Sequence, residues 1–406
     1  MQWLNSIEEL DLDEKSQRRL SHILEVMFFG ELHGLHNLHS ILQVLHIGSH
    51  NLYKIWSDYS AAQIKALCIM MCERSFEDTL EALLGKSDSS WSRAEVTIII
   101  DDSIFKQWLK NMPRGAEYDC FFSGQVKRSV YGFCVNLIGV SINACFYPLY
   151  FEFVPKGKDS NDVALSSLKK VHQLFKKAIQ KAGKACPNIY LSVDSGFTGE
   201  GLMTYCKDND IGYIGVPKKN NVIYIGAKKW KIAQYIKEVF LKEEAEFDEQ
   251  QQVQSASNEN VEGEKVVFFK RVKVYYQAID REVILVFFRL NGSNKVSVIF
   301  SFSMQAKAKT LRRRFFQRTK IELFFRFLKD TLKIQLSPSK DLERFEKKLA
   351  LFILKAMYCF CFEYFCHKTS KRLRRMPFTT LRRYIIYEQI GLDDLNSLIK
   401  KGAFAS

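Results

Sequence analysis

The segment VTIIIDDSIF, residues 96–105, carries most of the information about the fold. Its run of β-branched and other apolar residues predicts a buried strand, and Asp101 and Asp102 stand where that strand ends. A second apolar run, IYLSVDSGF at residues 189–197, ends in the same way, in Asp194 followed by the turn residue Gly196. An acid in either position alone is also typical of a strand leaving for solvent or of a cap on a following helix.

The order of predicted elements around these two strands indicates a mixed sheet. The segments in chain order are strands near residues 95–102, 129–140 and 144–155, a helix at 162–183, and strands near 188–197 and 211–217. Three strands with short connections, then a helix and two more strands, predict an α+β domain with helices packed on the sheet. This is also the strand order of the RNase H-like fold.

The remainder of the chain divides into regions by the pattern of apolar, polar and charged residues. We predict a helical region at 1–90, a first core part at 95–216, a β-rich region at 217–308, a core helix at 309–340 and a helical, basic region at 341–406. Residues 242–264 are polar and acidic with few large apolar side chains, and we expect them to form a flexible loop.

A basic helical segment, RRRFFQRTKIELFFRFLKDTLK at residues 312–333, contains the acid Glu322. A regular helix turns by about 100° per residue, which places six of its residues within roughly 80° of one another. These six are Phe315, Arg318, Glu322, Arg326, Lys329 and Lys333. We expect the acid to face a basic groove. The alternative is a surface ladder of ion pairs, Arg318 with Glu322 and Glu322 with Arg326.

The composition favours a polyanionic partner. The formal net charge is +15 and the isoelectric point is near 9.2, and neutralising phosphates supplies much of the affinity of proteins for nucleic acid. The acidic beginning of the chain lacks the pattern of a secretory signal, so we expect a cytosolic protein. Lys355 and Glu363 interrupt the most apolar helical segment, which predicts a soluble core helix and no membrane partner.

Three carboxylates, two at strand ends and one on a basic helix, suit a pair of metal ions. Such acids can share two Mg²⁺ ions roughly 3.5–4 Å apart, and oxygen ligands favour Mg²⁺ or Mn²⁺ over zinc. One ion activates a water or a 3′-hydroxyl, and the other stabilises the leaving oxygen of a phosphodiester. Nearby Lys and Arg would hold the DNA backbone.

The same residues resemble a known family. Phe315, Arg318, Glu322 and Lys329 fit the Y-(2)-R-(3)-E-(6)-K signature of the IS-four group of insertion-sequence transposases, except that the family has Tyr where this chain has Phe315. DSGF resembles the D-x-G-F/Y pattern of the group's second acid, which makes Asp194 its counterpart. IDDS resembles the region of the first acid, which is Asp101 or Asp102. We favour Asp102, because a small hydroxyl residue often follows this acid closely in the family.

The resemblance implies an RNase H-like catalytic core with a β-rich insertion between the second Asp and the Glu. It implies cut-and-paste transposition, with Asp102, Asp194 and Glu322 as ligands of two Mg²⁺ ions that Mn²⁺ can replace. Residues of the signature segment, together with Arg326 and Lys333, would contact DNA, and residues 1–90 would bind the element's ends. The implied partners are double-stranded terminal inverted repeats and target DNA, bound by a dimer in the cytoplasm, at the bacterial nucleoid.

Two other functions remain open from the sequence. One is a catalytically inactive, transposase-derived DNA-binding protein, against which the intact acids Asp102, Asp194 and Glu322 argue. The other is a metal-dependent, structure-specific nuclease that does not join strands. Arg318 and Lys329, which serve end binding in the family, argue against that nuclease.

Overall fold

The computed structural model describes the central part of the chain almost continuously and the terminal parts in pieces. The described residues are 7, 13–32, 58–85, 96–107, 119–123, 127–142, 145–184, 187–246, 268–289, 295–336, 339 and 341–369. Within them lie strands β1 to β11 and helices α1 to α8.

The elements follow one another in a mixed α/β order. They are α1 (Glu14–Leu32), α2 (Ala61–Leu84), β1 (Val96–Lys106), β2 (Asp119–Ser123), β3 (Arg128–Ile142), β4 (Cys145–Phe153), α3 (Ser160–Ala182), β5 (Ile189–Val193), α4 (Glu200–Asp208), β6 (Gly212–Gly215), β7 (Val222–Ile225), β8 (Lys228–Lys231), α5 (Ile232–Tyr235), β9 (Phe269–Tyr276), β10 (Arg281–Arg289), β11 (Val296–Ser301), α6 (Ala308–Phe316), α7 (Thr319–Arg326) and α8 (Leu342–Thr369).

All eleven strands belong to a single sheet. Its order is β2-β3-β1-β5-β6-β11-β10-β9-β7-β8, and β4 pairs with β3. β5 is parallel to β1 and to β6, whereas the other pairs are antiparallel. The β-rich region predicted at 217–308 therefore extends the core sheet, because β11 pairs with β6 through Phe300 opposite Gly215.

Strand β1 is at the centre of the molecule and is buried from Val96 to Ile100. Such a strand, covered on both faces, is apolar throughout rather than alternating. Its side chains still point alternately to the two faces of the sheet. Asp101 and Asp102 consequently leave the strand on opposite faces, and the helices that cover each face decide what each acid meets.

Helices cover both faces of the sheet beside β1. Helix α3 begins at Asp159, whose side chain accepts a hydrogen bond from the backbone of Asn161, and ends at Gly183 in the left-handed conformation. It covers the face to which Asp102 points. Helices α7 and α8 cover the face to which Asp101 points, where Phe345 stacks on Phe133 with ring centroids 4.4 Å apart.

In the described parts of the regions predicted at 1–90 and 341–406, the regular elements α1, α2 and α8 are helices. The flexible loop predicted at 242–264 differs at its beginning, because residues 241–246 are helical. Glu243 pairs there with Lys270, and Glu244 pairs with Arg289 at 2.6 Å. These ion pairs fix acids that the local composition assigned to a loop. Residues 247–264 of that tract and the basic tail after 369 lie outside the described residues. In the described part of the chain, no helix is long and apolar enough to cross a membrane.

Candidate active site

The end of β5 lies beside the middle of β1 and brings two acids to the same level of the sheet. These strands are parallel and neighbouring, with Ile100 opposite Val193. Asp101 and Asp194 are the next residues along the two strands, so the two acids are neighbours across the sheet. The prediction that the first strand ends at Asp101 and Asp102 is wrong, because β1 continues to Lys106 in pairing with β3.

The third acid comes from the basic helical segment, which is not the single regular helix predicted from its sequence. Tight turns separate α6 from α7, with Arg318 N donating to Phe315 O at 3.0 Å and Ile321 N donating to Arg318 O at 3.1 Å. After α7, residues Phe327–Thr331 form a wider π-helical turn. Tight and wide turns change the angle between successive residues. Of the six residues predicted on one stripe, Phe315, Arg318 and Lys329 are partly buried, whereas Glu322, Arg326 and Lys333 are exposed.

Three basic residues of this segment turn inward and bind one face of β1. Arg314 donates to the backbone oxygen of Val96 at 3.1 Å and Lys329 donates to the hydroxyl of Ser103 at 2.5 Å. Between them, Arg318 contacts Asp101. No sequence pattern pointed to Arg314, and Ser103 entered only as the small hydroxyl residue after the two acids. The signal that could have found Ser103 is its period-two spacing from Asp101 on the strand.

Arg318 lies among three carboxylates. Its Nη1 is 3.4 Å from Asp101 Oδ2 and 3.9 Å from Asp194 Oδ2, and its Nη2 is 2.5 Å from Glu322 Oε1. The side chain is only 18% exposed, so the guanidinium is a largely desolvated cation at the centre of the acids. The ring of Phe315 lies beside it, 5.8 Å from centroid to Cζ.

The two neighbouring acids of β1 have different surroundings. The side chain of Asp101 is 15% exposed, and burial raises its pKa to about 7, although Arg318 acts in the opposite direction. Asp102 is exposed on the other side of the strand and hydrogen-bonds Ser160 at the start of α3. Partial desolvation by the surrounding protein, followed by the charge of Asp194, raises the pKa of Asp102. The structure thus groups Asp101, rather than Asp102, with Arg318 and Glu322.

The remaining predicted DNA contacts fall into two sets. Phe315 packs against a buried apolar cluster that includes Ile214, and Lys329 lies over the ring of Phe105 at 5.0 Å. Burial, helped by the charge of Lys106, lowers the pKa of Lys329 to about 8. Arg326 and Lys333, by contrast, are exposed. Of the predicted DNA contacts, Arg326 and Lys333 are therefore the two that are exposed to solvent, as binding of DNA in a basic groove requires.

The donor set fits a hard divalent cation, although the three carboxylates do not come close enough to one another to share one in this arrangement. Within the described ranges, no three His, Cys, Asp or Glu side chains come together closely enough to hold a metal ion. The three acids instead converge on the guanidinium of Arg318, a cation that stands between them. Carboxylate oxygens without nitrogen or sulfur ligands are the set that Mg²⁺ and Mn²⁺ prefer. Asp101, Asp194 and Glu322 therefore suit such an ion once Arg318 moves.

Comparison with known protein families agrees with this chemistry. A family model described as the transposase DDE domain matches residues 146–359, which is more than half of the chain. The match begins within β4 and includes Asp194 and Glu322. Among curated proteins, no sequence matches the chain. Because the match covers more than half of the chain, the chain belongs to the transposase DDE domain family.

Proposed function

We propose that the chain is an insertion-sequence transposase that nicks DNA at the ends of its element and joins the released ends to target DNA. Membership of the family makes it an enzyme of DNA transposition, with DNA as partner and divalent metal ions as cofactors. The observation that carries the proposal is the meeting of Asp101, Asp194 and Glu322, from two strands and a helix, around one cation. The strand order β4-β3-β1-β5-β6 supports an RNase H-like core.

We assign the first catalytic acid to Asp101. Its carboxylate is on the face of β1 that α7 covers, and it shares Arg318 with Asp194 and Glu322. Asp102 points to the other face of β1, where its side chain hydrogen-bonds Ser160 at the start of α3. The preference for Asp102 that comes from family resemblance rests on the hydroxyl residue that follows it, Ser103. That hydroxyl is engaged by Lys329 on the face of Asp101.

When bound, two Mg²⁺ or Mn²⁺ ions would supply Lewis acidity to the attacking and leaving oxygens of a phosphodiester. The protein's own contribution is to hold three carboxylates at fixed positions on rigid elements. Arg326 and Lys333, both exposed on the segment that carries Glu322, would hold backbone phosphates of the same DNA. Residues 1–90 are our candidate for binding the terminal inverted repeats. Two protomers on paired ends, acting at the bacterial nucleoid, complete the proposed cut-and-paste reaction.

Incubation with Mg²⁺ and a DNA carrying the repeats that flank this gene tests the proposal. We expect excision followed by joining. Glu322→Gln, Asp194→Asn and Asp101→Asn should abolish cleavage while DNA binding is retained, because each loses a metal ligand. Asp102→Asn is the matched control on the same strand and should continue to cleave.

The other outcomes distinguish the alternatives. Cutting without joining would identify a metal-dependent nuclease, and binding without cutting would identify an inactive, transposase-derived DNA-binding protein. Loss of cleavage in Asp102→Asn with retention in Asp101→Asn would reverse the assignment of the first acid. Wild-type cleavage by Glu322→Gln would refute the metal site as a whole.

A further inference from the structure

We propose that Arg318 is an internal counter-ion, which holds the three acids together in the metal-free protein and which a divalent metal must displace. The inference rests on the proposed function and deepens it. It gives Arg318 a positioning role within the protein in addition to any contact with DNA. Metal binding and the release of a phosphate-binding side chain would then be one event.

The charges at the site require such a cation. Asp101, Asp194 and Glu322 are close enough to share one side chain, and like charges at short range in a partly desolvated site repel each other strongly. The planar guanidinium offers donors in several directions and does not lose its proton in proteins. Its Nη1 serves the two strand acids and its Nη2 serves the helix acid. One residue thus balances acids from three different elements.

Neighbouring basic residues are engaged elsewhere. Lys329 donates to Ser103, and Lys320 donates to Ser141 at 2.7 Å. Arg326 is exposed on the outer side of α7. Within the part of the chain that the structure describes, Arg318 forms ion pairs with all three acids. Lys329 also acts on Asp101 through its charge, but Arg318 is the side chain that joins the three carboxylates.

Arg318 and a metal ion compete for the same oxygens. Mg²⁺ needs its oxygen ligands at about 2.0–2.1 Å, and the guanidinium now occupies the space between those oxygens. The site can therefore close on a metal only when Arg318 turns away. Arg318 stands at the tight turns between α6 and α7, close to the exposed end of α7. A side chain released there turns its charge towards solvent at the start of α7, where Thr319 is exposed.

Mn²⁺ binding to the full-length, metal-free protein tests the proposal without any reaction. Isothermal titration calorimetry compares the wild type with Arg318→Gln and with Arg326→Gln, which removes the same charge one helical turn beyond Glu322. Because Arg318→Gln removes the competitor, we expect it to bind Mn²⁺ about tenfold more tightly than the wild type does. We expect Arg326→Gln to stay within about twofold of the wild type, since it removes only distant repulsion. Mn²⁺ should also raise the melting temperature of Arg318→Gln more than that of the wild type.

Arg318→Lys keeps the test decisive if Arg318→Gln fails to fold. A single ammonium cannot reach three acids with fork geometry, so this variant should also bind Mn²⁺ more tightly than the wild type does. Unchanged or weaker Mn²⁺ binding in the Arg318 variants, or a gain no larger than that of Arg326→Gln, would overturn the counter-ion role. Failure of the proposed function would appear differently. In that case Asp101→Asn, Asp194→Asn and Glu322→Gln would bind Mn²⁺ as the wild type does.

Discussion

Asp101→Asn is expected to stabilise the metal-free protein, and to do so increasingly as the pH rises. Burial raises the pKa of Asp101 from 3.8 to about 7. The folded protein therefore keeps this proton at pH values where the unfolded chain has lost it. A group with a raised carboxyl pKa contributes its full stability below the unfolded pKa, and that contribution is lost as the pH rises through the folded pKa. Asparagine has no such proton to lose.

The magnitude follows from the shift. Each unit of pKa difference corresponds to about 1.4 kcal/mol. The interval from about pH 5 to pH 8 includes roughly two of the three pKa units that separate the unfolded value of Asp101 from its folded value. We therefore expect the variant to gain about 2–3 kcal/mol in free energy of unfolding relative to the wild type over that interval. Below about pH 3.5 the two proteins should differ little from this cause, because Asp101 is then neutral in both states.

Urea unfolding in the presence of a chelator, at several pH values between about 4 and 8, measures this difference directly. Groups distant from the site titrate alike in both proteins, so the difference reports Asp101 together with its coupling to Asp102 and Asp194. Asp330→Asn, which changes an exposed acid on the π-helical turn, is the control for the loss of a carboxylate outside the acid cluster. A flat or falling difference for Asp101→Asn would refute the desolvated environment assigned to Asp101, and with it the argument for a shielded acid cluster.

Two further predictions concern the basic residues of the signature segment. Lys329→Met should stabilise the metal-free protein at about pH 7 by about 1 kcal/mol or more, because burial of the ammonium lowers its pKa to about 8. That advantage should shrink towards pH 10, where the wild-type lysine is neutral in the fold, and thermal unfolding at the two pH values would detect it. Arg326→Gln and Lys333→Gln should each lower the slope of log K for DNA binding against log salt concentration, by the amount that corresponds to about one phosphate contact. Lys329→Met should leave that slope unchanged, and electrophoretic mobility shifts over a salt series would separate these outcomes.

The sequence was sufficient for the neighbourhood of the acids and insufficient for the choice between two of them. Two apolar runs followed by acids, in a strand order that makes β1 and β5 parallel neighbours, place Asp101 and Asp194 side by side, although β1 continues past its acids to Lys106. Alternation along a strand shows that Asp101 and Asp102 point apart, but not which side α7 will cover. Packing decides that side, through contacts such as Phe105 with Phe325, and those residues are more than 200 positions apart. A local pattern carries no information on such a pairing.

The directions in which the side chains of the basic segment point could also not be predicted from the sequence. A constant 100° per residue predicts Phe315, Glu322 and Lys329 on one stripe, and this rule holds only for a regular helix. The tight turns at Arg318 and the π-helical turn after Arg326 each change the phase. Neither irregularity is marked by glycine or proline. They arise where the segment adapts to the surface of β1, so the strand it packs on determines them.

The acid within the basic segment is explained by two surfaces that carry positive charge for different reasons. Arg314, Arg318 and Lys329 face β1, where polar groups of a buried strand need partners, since burying them unpaired is costly. Arg326 and Lys333 face solvent, where positive charge attracts a polyanion. Glu322 stands at the boundary between these surfaces and bonds Arg318 from the outer side. An acid at that boundary completes the carboxylate cluster without neutralising the outward bases. A purely basic helix would lack the third carboxylate, and a purely acidic one would repel both the strand acids and DNA.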